Sequence, residues 1–553
     1  MASSSPTSIS PDQHNAIYHL RHNWRLVLTG ESCDGLLNSI LGITVTDSVL
    51  PTLAVLLSTG SFTFGYDGSV IGGVLNMLPF IEQFGSATPE GPILTARTIS
   101  IIVATPTAGS LIGFLINSTC ADRFGRKKTM LGGCAISLVA AVLQTASYTV
   151  AMITVGRILT GISVFVLVGM AITFQNEISP APLRGFLGGL SVVSIQTGAL
   201  IAAGVNWATH GVLSSLSWRL PIGLQIIFPM LIALCTFFVA DSPTAYLIKG
   251  QDAQAEESLR KVRRGYSDAD IQEEMDNLKM QKSLRAAEKE VHWIDIFRGV
   301  DLRRTILATY AGVFVSLSGL IYATNYATIF LAQVGATNVY LLVFALNILT
   351  FAGAITGGIL LDIIGRRPLA LWSFTALLII DIVIGALGFA DASDSKVAKA
   401  IAGFSLMFGF FVSVGFGPLT YINTAELATA RLRNKTNAYA LLSNSLTSLT
   451  VTYVFPYITN ADAGDLGAKV YLIFAGCMAV CLVFTFFCFP EVKGRTPAEV
   501  DEMFQDRLPA RKFKGHLCVA GPENVELSAV TKAHELHDVE GAAQQVEAVD
   551  TKI

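Results

Sequence analysis

The chain has 553 residues, of which 52% are hydrophobic and 14% charged. Its mean hydropathy is +0.55, whereas ordinary soluble domains carry roughly a quarter charged residues. A formal net charge of −3 leaves no basic footprint for nucleic acid. The apolar residues gather in runs near or above ~18, long enough to cross a ~30 Å hydrocarbon layer as helices. The composition therefore points to an all-α polytopic membrane protein and excludes soluble classes.

In chain order, residues 1–47 are mixed and polar, with Glu31 and Asp34, and read as an N-terminal tail and not as a signal peptide. The first predicted span runs over Val49–Asn76 and contains Phe64-Gly-Tyr-Asp67. Others follow near 98–119, 129–147, 150–175, 187–207 and 220–240, giving an N-terminal six-helix bundle over 48–240. A charged segment, 241–304, reads as a loop with short solvated helices. A second bundle over 305–489 has spans near 305–330, 338–361, 368–389, 398–425, 436–459 and 468–489, and 490–553 form a polar C-terminal tail. The cysteines lie mostly inside apolar runs and form no CxxC pair, so no metal site is expected.

The two bundles share signals. Asp122-Arg-Phe-Gly-Arg-Lys-Lys128 is a charged turn between apolar runs, and Asp362-Ile-Ile-Gly-Arg-Arg367 repeats it, with 362 − 122 = 240. Glu177 and Arg184 stand seven residues apart, as do Glu426 and Arg433, and 426 − 177 = 249. Matching signals at matching distances indicate an internal duplication, which is common in transporters. Arg123, Arg126, Lys127, Lys128, Arg184, Arg366, Arg367, Arg431, Arg433 and Lys435 all fall in alternate connections. The positive-inside rule then places these connections and both termini in the cytoplasm. Asp122, Arg126, Glu177, Arg184, Asp362, Arg366, Glu426 and Arg433 thus sit at cytoplasmic span ends. There they can form inter-helix salt bridges that hold the inner side shut and break to open it; a role in fixing topology accounts for part of the same charge.

Asp67 lies well inside an apolar span, where a carboxylate is costly and is a functional hypothesis by default. The histidines all lie outside the predicted spans, which argues against a histidine relay.

The chain resembles fungal members of the sugar porter family of the major facilitator superfamily. The residues that carry the resemblance are Phe64-Gly-Tyr-Asp67, the two Asp-x-x-Gly-Arg turns, Gly156-Arg157, Glu177…Arg184-Gly185, Leu317-Ser-Gly319, Gly417-Pro418, Glu426…Arg433 and Pro490-Glu-Val-Lys-Gly-Arg-Thr496. The resemblance implies a major facilitator fold of twelve helices in two halves with pseudo-two-fold symmetry, and a non-enzymatic transporter in the plasma membrane. It assigns the span-end charges to a cytoplasmic charge relay. Arg157 is the partner expected for Asp67, and in proton-coupled relatives the matching Asp and Arg are the coupling pair. A static buried ion pair is the competing reading.

The solute pocket departs from the family. Sugar-transporting relatives carry a glutamine in span 5 where this chain has Val192, with Gln196 a turn further on. Their Gln-Gln pair in span 7 is replaced by Val315-Ser316, with Tyr322, Asn325 and Tyr326 beyond it. A tryptophan of span 10 is replaced by Tyr421. The remaining candidates for solute contact are Gln196, Ser316, Asn325, Tyr326, Asn347, Tyr421 and Asn444, with Tyr322 and Asn423; each could equally be an interhelical hydrogen bond. Asp381, mid-span on a helix that is peripheral in this family, is expected to snorkel or to pair with a neighbour. The expected function is proton-coupled uptake of a sugar or related small polar solute by a monomer that needs no cofactor beyond the proton. An exporter on the same fold and a non-transporting sensor are the alternatives.

Overall fold

A charged Gly-Arg turn between two apolar runs folds as a sharp reversal between two long helices, and the chain uses this device twice. The computed structural model describes residues 49–516 and 518, interrupted at 90, 179–183, 239–240, 263–267, 290–291, 391–393, 461 and 517. The N-terminal tail and the end of the C-terminal tail lie outside the described residues.

The first half contains α1 (Val49–Val74), a short α2 (Leu78–Phe84), α3 (Ala96–Phe124), α4 (Arg126–Thr145), α5 (Val150–Ile178) and α6 (Arg184–Thr209). Its last span is interrupted: α7 (Leu216–Gly223) passes through a 3-10 turn, Leu224–Ile226, into α8 (Ile227–Phe238). Pro221 lies inside α7 and has no N–H to give the helical ladder. Between α2 and α3, strands Ser86–Thr88 and Gly91–Ile93 pair antiparallel, a hairpin that the apolar pattern did not announce.

A short apolar helix, α9 (Pro243–Ile248), and two charged ones, α10 (Asp252–Val262) and α11 (Asp268–Lys289), follow. They close around their own small core, in which Leu247, Leu259, Ile271 and Met275 are buried.

The second half opens with a broken span. α12 (Gly299–Leu317) stops at Ser318, and α13 (Leu320–Asn325) and α14 (Ala327–Gln333) follow, separated at Tyr326. Gly319 has φ +89°, a left-handed conformation open to glycine, and the Ser318 hydroxyl bridges the gap by donating to the Val315 carbonyl at 2.8 Å. The remaining spans are α15 (Val339–Ile364), α16 (Arg366–Leu387), α17 (Ser395–Glu426), α18 (Arg433–Thr459) and α19 (Tyr471–Cys488), followed by the polar helix α20 (Pro497–Gln505). Among the described residues nine helices are long and apolar enough to cross a membrane. With α1, the broken α12–α14 and the more polar α18 the arrangement is of twelve spans, 9 + 3 = 12.

The halves meet where α3 packs on α18, α6 on α15, and α1 on α13 and α14. Hydrogen bonds tie them together at the ends of the spans remote from the Gly-Arg turns. Ser100 donates to the Tyr453 carbonyl at 2.8 Å, Thr328 to that of Gly72 at 2.8 Å, and Tyr340 to that of Gly73 at 3.3 Å. The Ala96 N–H donates to Asp462 at 2.8 Å, and the Trp207 and Phe344 rings stack at 5.6 Å. The structure is therefore one in which the end remote from the arginines, called here the far end, is closed.

Candidate functional site: a buried ion pair and two sets of charged helix ends

Asp67 on α1 is 7% exposed and Arg157 on α5 is 2% exposed. Arg157 Nη1 donates to Asp67 Oδ1 at 2.6 Å, and its Nε donates to the Ile102 carbonyl of α3 at 3.3 Å. The same Oδ1 accepts a second hydrogen bond from Gln225 Nε2 at 3.0 Å. Gln225 sits in the 3-10 turn that breaks span 6, so the break brings an amide to the ion pair. Tyr66, beside Asp67, donates to the Pro221 carbonyl at 2.9 Å and holds that broken span against α1. Gln225 was not singled out from the sequence. Its signal was present, an amide midway along an apolar span.

The charged turns are built alike in both halves. Gly125 has φ +95° and Gly365 φ +102°, and each links two antiparallel helices. Arg126 grips Glu177 through Nε at 3.1 Å and Nη2 at 2.8 Å. Arg366 grips Glu426 through the same atoms at 3.2 and 2.8 Å, with Asp362 at 3.7 Å. These ion pairs join helices within one half and not across the two. Glu426 takes Arg366 as its partner rather than Arg433, whose Nε is buried without a hydrogen-bond partner. The side chains of Asp122 and Arg184 lie outside the described residues.

Two further acids complete the turns. Asp241 Oδ1 accepts from the Lys127 N–H at 3.3 Å, and Glu491 accepts from the Arg366 and Arg367 N–H groups at 3.1 and 3.0 Å. Both carboxylates thus cap helix N-termini, where free N–H groups and the helix dipole favour negative charge. A Cβ at Gly125 would lie 2.9 Å from Asp241 Oδ2, and one at Gly365 would lie 2.7 Å from Glu491 Oε2. The sequence carries a signal for these caps too, since 491 − 241 = 250 matches the interval of the duplication.

Several of the expected solute contacts are hydrogen-bonded within the bundle in this conformation. Ser316 donates to Asn444 Oδ1 at 2.9 Å, which joins α12 to α18. Tyr326 is buried and donates to the Thr452 carbonyl at 2.7 Å, while Asn347 donates to Val343 of its own helix at 2.9 Å. Asn325 is half-buried near α1, and Gln196 is half-buried on α6. Tyr322 lies within an aromatic cluster with Phe330, Phe455, Tyr471 and Phe474. The side chains of Tyr421 and Asn423 lie outside the described residues. Asp381 neither snorkels nor pairs: it is fully buried, and both its carboxylate oxygens lack a hydrogen-bond partner.

Twelve spans in two similar halves, with an ion pair buried in one of them and matched charges at the helix ends, define a major facilitator transporter and not an enzyme. The family described as Sugar (and other) transporter matches residues 53–504, and the chain belongs to it. The high glucose sensor RGT2 of Saccharomyces cerevisiae is 28% identical over 462 residues, which cover 82% of this chain and 60% of that protein. The general alpha-glucoside permease of the same yeast is 29% identical over 472 residues, 83% of this chain and 76% of the permease. Among solved structures, the inward open conformation of the xylose transporter XylE from E. coli superposes with a TM-score of 0.68 at 19% identity. That match covers 82% of this chain and 99% of XylE, and it shows the shared fold.

Proposed function

We propose that the chain is a proton-coupled secondary transporter that moves a sugar or a related small polar organic solute by alternating access. The observation that carries this reading is the Asp67–Arg157 pair, buried where α1, α3, α5 and the break in span 6 meet. A carboxylate beside a guanidinium stays ionised, and separating the two or drying the site raises its affinity for a proton. Helices that rock against one another change both conditions together, which is how such a pair links proton uptake to conformation. The basic connections face the cytoplasm in this reading, both termini are cytoplasmic, and the protein works as a monomer in the plasma membrane. The Arg126–Glu177 and Arg366–Glu426 pairs serve as the cytoplasmic charge network of each half, and the far-end contacts form the outer gate. Sugar chemistry is supported by the family and by the likeness to the alpha-glucoside permease, and the fold is shared with XylE, a proton:xylose symporter solved with 6-bromo-6-deoxy-D-glucose bound.

The test is solute uptake into proteoliposomes, acidic outside and neutral inside, screening hexoses, disaccharides, polyols and sugar acids. Accumulation with proton co-movement is expected, and Asp67→Asn should abolish accumulation while leaving exchange partly intact. Accumulation unchanged in Asp67→Asn overturns coupling at this pair. The likeness to a glucose sensor favours a second reading, in which solute binds and shifts conformation without net flux. Binding without uptake in the same liposomes would select it.

A further inference from the structure

Asp381 occupies the buried stripe of α16, between Leu377 and Ile384, in the seam where α16 packs on α17 and α19. It is fully buried and neither of its oxygens is hydrogen-bonded. Asp67, by contrast, has a guanidinium and an amide on one oxygen. The titratable groups facing Asp381 are Tyr471 and Cys477 of α19, and the Tyr471 hydroxyl is engaged with Ser405 of α17. The charged residues of α17, Lys396, Lys399 and Glu426, lie at its two ends. Asp362, the charged residue of α15, is at its Gly-Arg turn, and Lys469, in the turn before α19, lies over the Phe389 ring. Within the seam itself no cation is available among the described residues.

An ionised carboxylate in such a place would carry a large desolvation penalty with neither a donor nor a counter-ion to offset it, so the group keeps its proton. Its surroundings connect it to the moving parts. The Tyr471 ring lies 6.0 Å from that of Tyr322 on α13 and 5.3 Å from that of Phe330 on α14. α13 and α14 are the segments that close the far end against α1, through Thr328 and Gly72. Asp381 therefore stands one aromatic ring behind the closing segment.

We propose that Asp381 is a second proton-binding site, separate from Asp67–Arg157, that is loaded while the far end is closed. A conformation that brings water or a donor to this carboxyl releases its proton. By linkage, raising the pH favours that conformation over the closed one. The inference needs neither the solute nor coupling at Asp67, so it stands or falls apart from the function proposed above.

The test is infrared spectroscopy of the full-length protein in lipid nanodiscs, with carboxyl-labelled aspartate, at mildly alkaline pH. A protonated-carboxyl band from labelled aspartate is expected in the wild type and in Asp67→Asn, and is lost in Asp381→Asn. Should the Asn variant fail to fold, Asp381→Glu takes the acid out of the label and makes the same assignment. A wild-type spectrum without that band, or a band that persists when Asp381 is replaced, overturns the proposal. A pair of spin labels on the far ends of α3 and α18 reads the linkage. The distance should lengthen with rising pH in Asp67→Asn and lose that response in Asp67→Asn/Asp381→Asn; an equal response in both overturns the coupling to closure.

Discussion

At the Gly-Arg turns, Arg126 with Glu177 and Arg366 with Glu426 repeat one geometry to within 0.1 Å, and Asp241 and Glu491 cap the same helix start in each half. Halfway along the helices the correspondence stops. The first half holds Asp67 against Arg157 and Gln225, while the second holds Asp381 with no partner. Ala141, buried on α4, stands at the matching place in the first half, 381 − 240 = 141. The turns face a problem common to both halves, since a tight reversal leaves helix N–H groups that need an acceptor and arginines that need an acid. Interior positions face no such shared demand, and there the copies have diverged. An acid inside a membrane is costly to keep, so the unlike acids are the stronger functional hypotheses.

The largest expected effect comes from breaking the unlike interior. Arg157→Leu leaves Asp67 buried with the Gln225 amide alone, and removing one partner of a buried ion pair costs roughly 3–5 kcal/mol. Loss of folded protein or of all pH-driven accumulation is expected, measured by detergent-solubilised yield and by uptake. Asp67→Asn keeps the shape but leaves the Arg157 guanidinium buried without its carboxylate, so it should lower the folded yield too, and the protein that folds should lose accumulation while keeping part of its exchange. If Arg157→Leu folds and accumulates normally, the pair is neither structural nor coupling.

The matched turns are not energetically equal, and that difference is the next largest. The Arg126 and Glu177 side chains are each 5% exposed, whereas Arg366 is 13% and Glu426 34% exposed. Solvent weakens the second pair, so a double-mutant cycle should give Arg126–Glu177 a coupling of about 1.5–3 kcal/mol and Arg366–Glu426 about 1 kcal/mol or less. Thermal unfolding of the four variants of each cycle measures it. Equal couplings would mean that exposure does not separate the two copies.

Much of this was legible beforehand, for physical reasons. Hydropathy located the spans because lipid forces every backbone polar group into helices, and the duplicated turns stood out because charge is rare between apolar runs. The Asp67–Arg157 pairing was also readable, as an acid and a base at mid-membrane have few other partners. The partner of Glu426 was left open, since Arg366 and Arg433 are both span-end charges, and the turn at Gly365 swings Arg366 across onto α17. Gln225 escaped for a similar reason, since a 3-10 break at the end of α7 is needed to place it. The solute candidates Ser316, Tyr326 and Asn444 are polar residues whose hydrogen bonds are met within the bundle here, and residue type alone does not say whether an interior amide serves packing or solute.

Of similar size is the effect of loosening the far-end contact, to which each half contributes one face. A Cβ at Gly72 would lie 2.7 Å from the Asn325 carbonyl oxygen, so Gly72→Val forces α1 from α13. Overpacking of this kind costs typically ~1–3 kcal/mol, borne by the closed conformation alone. Spin-label distances across the far end should shift towards the open form, with fold and yield kept. Thr328→Val, which removes one hydrogen bond to Gly72, should shift them the same way by ~1 kcal/mol or less.

The smallest effect distinguishes the polar segments that follow each half. After the first half, α9–α11 bury a core of their own. After the second, α20 leans on its neighbours through Arg304–Asp501 and a capping box, in which the Thr496 N–H donates to Glu499 at 2.7 Å and Arg495 donates to it at 2.9 Å. Burial pushes the Glu499 carboxyl up, but the Thr496 N–H and the Arg495 guanidinium outweigh it, so the group sits below its usual range. A depressed carboxyl contributes stability that is present at neutral pH and lost as the pH falls through its folded-state value. Glu499→Gln should therefore loosen α20 by ~0.5–1 kcal/mol at neutral pH and by progressively less in acid. Hydrogen exchange of residues 497–505 reads this directly, with α9–α11 as the internal control. A variant that loosens both segments alike would show that α20 and the first half's cap are one cooperative unit, and that the distinction between a self-contained cap and a docked one does not hold.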